Sequence, residues 1–65
     1  MQPHQERVVA EKTELDDKLT KLKSFEAGPI YRSLPEDEQK RLSSQADVMQ
    51  QYSDILGQRI AAFPK

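Results

Sequence analysis

Apolar residues recur along the C-terminal half of the chain at helical intervals. Leu42, Ala46, Met49, Leu56, Ile60 and Phe63 follow one another at steps of four, three or seven, which stacks them on one side of a helix. At about 100° per residue, with Met49 at zero, this row stays within roughly 60° on either side. Val48, Tyr52, Ile55 and Ala62 form a second row beside it, from about −60° at Tyr52 to about −140° at Ala62. Together the rows exceed the apolar arc of about 100° or a little more that an ordinary surface helix carries. The pattern therefore predicts that a second copy of the chain, or a foreign partner, covers the surplus.

The N-terminal half carries a narrower stripe. Val8, Leu15, Leu19 and Leu22 fall within about 60° of arc, and Phe25 extends the stripe by about 60° more. Lys12 lies between Val8 and Leu15, where its aliphatic stem can fill the gap. Pro3 suits a helix start because the first turn has no use for its missing N–H. Glu14 with Lys18 and Asp17 with Lys21 are acid-first pairs four residues apart, each worth a few tenths of a kcal/mol.

Glu26-Ala27-Gly28-Pro29 interrupts this helix. Gly28 is expected to close it in the left-handed conformation, and Pro29 to prevent its continuation. Glu26 falls on the apolar side, where fraying of the helix end is expected to give it water. Ile30-Tyr31-Arg32-Ser33-Leu34 should fold back over the end of the helices, a single helical turn being one form it can take. Ser33 with Glu36 fits a capping box, and Glu36, Asp37 and Glu38 suit the positive end of the helix dipole. Gly57 inside the last helix implies either the close approach of another backbone or a tolerated weak point. Pro64 ends the pattern. The expected architecture is all-α, one domain over residues 1–65. It is an antiparallel helical hairpin with a helix at about 4–26, a connector at 27–34 and a helix at 35–63, dimerising into a four-helix arrangement.

Composition sharpens the need for association. A 65-residue chain is near the size at which one core is marginal without disulfides, a metal or oligomerisation. It has no cysteine and only one histidine, His4, so neither a disulfide nor a zinc site is expected. Ten basic and eleven acidic residues give a net charge of −1, which argues against an electrostatic nucleic-acid binder. No apolar run is long enough to cross a membrane. The first seven residues lack the features of a signal peptide, so a cytosolic location is the expectation.

Few residues suggest chemistry. His4 sits in a terminal turn without a placed partner and reads as solvated. The acidic runs Glu14, Asp16, Asp17 and Glu36, Asp37, Glu38 do not converge, since adjacent helical residues point about 100° apart. Lys18, Lys21 and Lys23 with Tyr31 and Arg32 could receive a phosphate or a base, a protein partner, or simply water. Val48, Tyr52 and Ile55, with Arg59 and Ala62, form the candidate interface for a second copy or a docked protein. No catalytic residue, cofactor or metal is expected, because nothing pairs a nucleophile with a base.

Three blocks also resemble a family of very small phage and prophage proteins labelled as related to a crAssphage open reading frame. They are Arg7-Val8-Val9-Ala10-Glu11-Lys12-Thr13-Glu14-Leu15-Asp16, Leu34-Pro35-Glu36-Asp37-Glu38-Gln39, and Tyr52-Ser53-Asp54-Ile55-Leu56-Gly57-Gln58-Arg59-Ile60-Ala61-Ala62-Phe63. The likeness runs from about His4 to Phe63 and carries no assigned activity. It implies a phage product acting in the cytoplasm of a bacterial host. The leading expectation is a small binding protein that inhibits or redirects a host protein. The alternatives are an oligomeric sponge for a small signalling nucleotide, built around Tyr31, Arg32 and the lysines, and a structural or assembly role.

Overall fold

A computed structural model describes residues 1–64, and in it the chain forms α1 (Pro3–Glu26), α2 (Pro29–Ser33) and α3 (Glu36–Ala61). There is no strand among the described residues. Pro3 is the first residue of α1, where its ring costs no hydrogen bond. The Gln2 backbone N–H donates to Gln5 Oε1 at 2.9 Å, which gives the buried Gln5 a partner.

The break between α1 and α2 departs from the expectation at Gly28. Its φ of −91° and ψ of 169° are extended, and no described residue has a positive φ. The physical reason is Pro29. It opens α2 at once, and a residue that precedes proline is pushed into the extended region. Glu26 also differs. It is half-buried, and its Oε1 is shielded from solvent without a hydrogen-bond partner, because α1 stays helical to that residue instead of fraying.

α2 takes up most of the connector, and this removes Ser33 from its expected capping role. The Ser33 hydroxyl donates to Ile30 O at 2.7 Å, inside α2. Leu34 and Pro35 are extended, with ψ of 153° and 146°, so α3 starts at Glu36. Gln39 ties the corner instead: its Nε2 donates to Leu34 O at 2.9 Å and to Arg32 O at 3.2 Å. Tyr31 closes the same corner. Its hydroxyl donates to Gln39 O at 3.0 Å, and its ring meets Phe25 edge-on at 6.3 Å. α3 ends at Ala61, with Phe63 N–H still donating to Ile60 O at 3.1 Å.

The two long helices pack lengthwise into a rod of 48 × 14 × 13 Å. Contacts between them run in opposite chain order: Lys12 meets Ser53, while Lys23, later in α1, meets Gln50, earlier in α3. Val8 and Leu19 of α1 and Ala46 and Leu56 of α3 form the buried core, Leu56 being 0% exposed. Leu15, Leu22, Leu42, Met49, Ile60 and Phe63 are half-buried around them. Asp17 pairs with Lys21 at 3.0 Å as expected. No Glu14–Lys18 pair forms among the described residues, in keeping with the small gain from ordering two exposed side chains.

Candidate functional site

α3 leaves one row of apolar residues outside the helix pair. Val48 is 63% exposed, Ile55 53% and Tyr52 41%. Ala62 and Arg59 are exposed as well. All five candidate interface residues therefore reach solvent in the single chain, while the first row, from Leu42 to Phe63, lies against α1. This meets the condition that the apolar surplus set. α1 is too narrow to cover both rows.

The outer face has a definite charge pattern. Arg41 and Arg59 are 18 residues apart, about five helical turns, so they point the same way from the two ends of the row. Arg41 Nε contacts Glu38 Oε1 at 2.9 Å. Arg59 forms no ion pair among the described residues. Asp47 and Asp54 point about 95° and about 115° away from the middle of the row. Between the arginines the face thus carries Val48, Ile55 and the Tyr52 ring, flanked by the exposed Ser44 and Gln45, and no side-chain carboxylate falls within it.

A second constellation lies inside, between α1 and α3. Lys12 fills the gap in its stripe as expected, but its Nζ has two partners there. It donates to Asp16 Oδ2 at 2.8 Å and to Ser53 Oγ at 2.9 Å, and the Ser53 hydroxyl donates to Asp16 Oδ1. The hydrogen bond from Lys12, and then that from Ser53, hold the Asp16 carboxyl below its ordinary value of 3.8. A lysine beside a serine hydroxyl is also a base beside a nucleophile. Here Ser53 is only 2% exposed and its proton is directed to Asp16, which leaves no path for a substrate. Gly57 lies against the same lysine: a Cβ on Gly57 would stand 3.4 Å from Lys12 Cε. The close approach at this glycine is therefore a side-chain stem and not another backbone.

Sequence reasoning passed over Ser53 and treated Asp16 as part of a solvated run. The signal was present. Ser53 falls at about 40° on the α3 wheel, inside the arc of the first apolar row, and Lys12 interrupts the α1 stripe in the same way. Two polar interruptions in facing apolar stripes are a sign that they meet.

The other candidates stay apart. Tyr31 is held in the corner by Gln39 and Phe25. Arg32 is exposed. Lys21 is paired with Asp17 and Lys23 donates to Gln50 at 3.2 Å, so no hydrogen bond or ion pair joins Tyr31 or Arg32 to the lysines. His4 is exposed and lines an open cleft of about 550 Å³ with Met1, Gln2, Gln5 and Pro64. No cluster of His, Cys, Asp and Glu among the described residues could hold a metal ion. No helix among them is long and apolar enough to cross a membrane.

No curated protein and no solved structure matched the chain. A family model described as Sequestin matches residues 2–62, a span that takes in all three helices and both the outer face and the inner triad. The chain belongs to the Sequestin family.

Proposed function

We propose that this protein works by stoichiometric capture and not by catalysis. In this reading it is a phage-encoded protein of the host cytoplasm, an antiparallel helical hairpin that dimerises into a four-helix arrangement. The outer face of α3 is where it holds its ligand, and the ligand class that fits best is a small signalling nucleotide. The observation that carries this is the composition of that face: an aromatic ring, Tyr52, on which a base can stack, and an exposed Arg59 with no ion pair among the described residues. Arginine is the side chain best suited to phosphate, and aromatic faces accept bases of any sequence. The family's description, whose root is the verb to sequester, supports capture over turnover.

This places the sponge ahead of the host-protein inhibitor and moves its site from Tyr31, Arg32 and the lysines to α3, since Tyr31 is occupied in the corner. The inhibitor reading retains one supporting observation: Val48 and Ile55 are more exposed than Tyr52, and an apolar row with a Tyr and an Arg also suits a protein hot spot. Thermal melts with a panel of cyclic and linear nucleotides, beside capture from host lysate on the immobilised protein, separate the two. A ligand at about 100 times its Kd adds roughly 2.7 kcal/mol of stability, and the shift should vanish in Arg59→Ala. If the whole panel leaves the melt unmoved while one host protein is retained in equimolar amount, the nucleotide reading fails and the inhibitor reading stands.

A further inference from the structure

α3 is not oriented to bury as much apolar surface as its sequence allows. On the wheel used above, its apolar residues centre at about −25°, whereas the side chains that pack on α1 centre at about +40°. The helix is thus turned by roughly 60° from its greasiest direction. The turn brings in Ser53, Gly57 and Gln50, which are buried or half-buried, and it sends out Val48, Tyr52 and Ile55. Within a single chain hydrophobic burial opposes this arrangement, so an interaction between its own helices is needed to hold it there.

The side chains that come inward with the turn identify that interaction. Ser53 Oγ accepts from Lys12 Nζ and donates to Asp16, and Gly57 lies against the Lys12 stem. Turning α3 back by 60° would carry Ser53 away from both partners and put the Tyr52 side of the helix against a lysine–aspartate pair. We infer that Lys12, Asp16 and Ser53 form a rotational lock that keeps the second apolar row of α3 on the outside. Lys12, Asp16 and Ser53 are then positioning residues for the outer face, although none of them lies on it. The inference does not depend on which ligand that face takes.

Because the chain contains no cysteine, single introduced thiols report the rotation. Val48→Cys reports the outer row and Ala46→Cys, at a site 8% exposed, reports the inner one. Rates of thiol modification are compared with and without Lys12→Met, Asp16→Ala and Ser53→Ala combined. The comparison is made at equal helicity and at a concentration where the sedimentation coefficient is unchanged. The lock predicts shifts of opposite sign: several-fold slower modification at Val48→Cys and several-fold faster at Ala46→Cys. Rates that rise together indicate general loosening, and rates that stay put indicate no rotation; either result overturns the inference. Should the triple variant lose helicity, Ser53→Ala alone supplies the same two rates with a smaller change.

Discussion

The Ser53 hydroxyl accepts one hydrogen bond and donates another while 2% exposed. Deleting it leaves Lys12 and Asp16 with each other at 2.8 Å but each short of one partner, and both have some access to solvent. Loss of a buried hydrogen-bonded group costs about 1–3 kcal/mol, and the solvent access of its partners places Ser53→Ala toward the lower end; thermal unfolding followed by circular dichroism measures it. The same cluster sets an acid response. Asp16 is held below its ordinary 3.8 by Lys12 and Ser53. A carboxyl lowered in the folded state contributes stability that is whole above the unfolded value and is lost as pH falls through the folded one. Melting temperature should therefore be flat with respect to Asp16 above about pH 4 and fall below it, and Asp16→Asn should flatten that fall. An equally steep acid limb in Asp16→Asn would mean that other carboxylates govern it.

Among the helices, Gly57 and the α2 corner respond to different physics. Gly57 lies inside α3 with no positive φ, so alanine gains helix propensity of about 1 kcal/mol. The added methyl would meet Lys12 Cε, the last carbon of the lysine stem, at 3.4 Å. Gly57→Ala is expected to raise stability by up to about 1 kcal/mol in a denaturant titration; a loss would show that Lys12 cannot yield without breaking its two hydrogen bonds. At the corner, Gln39 satisfies the Arg32 and Leu34 carbonyls, whereas Ser33 bonds only within α2. Gln39→Ala should cost about 1 kcal/mol and speed hydrogen exchange of the first α3 amides. Ser33→Ala should stay within about 0.5 kcal/mol of the parent. A reversal of that order would restore Ser33 as the cap that its spacing with Glu36 implied.

At the scale of the molecule, the buried apolar set among the described residues is Val8, Leu19, Ala46 and Leu56. A chain of this size rarely draws more than about 3–5 kcal/mol from one core. The uncovered row of Val48, Tyr52 and Ile55 on this rod is the surface that the proposed association would use. Sedimentation velocity of the purified chain is expected to give a concentration-dependent mass above that of one copy. Tyr52→Glu should reduce that mass while leaving the helix content of the single chain unchanged. A monomer at all concentrations, with the melt insensitive to dilution, would remove the dimer from the proposed mechanism and leave the face to a foreign ligand alone.

Helix positions, their approximate ends and the surplus of apolar surface were legible along the chain, because the 3.6-residue period and the Pro and Gly positions are local properties. The same period relates side chains only to others on their own helix. It carries no information on the angle at which that helix meets a neighbour. That the inward face of α3 is centred near Ser53 and not on its apolar residues became visible only where Lys12 and Asp16 met Ser53, a contact spanning about 40 residues of sequence. Gly28 and Ser33 follow the same logic. Each was a sound local signal, and each was overridden because α2 formed between them and claimed both ends of the corner.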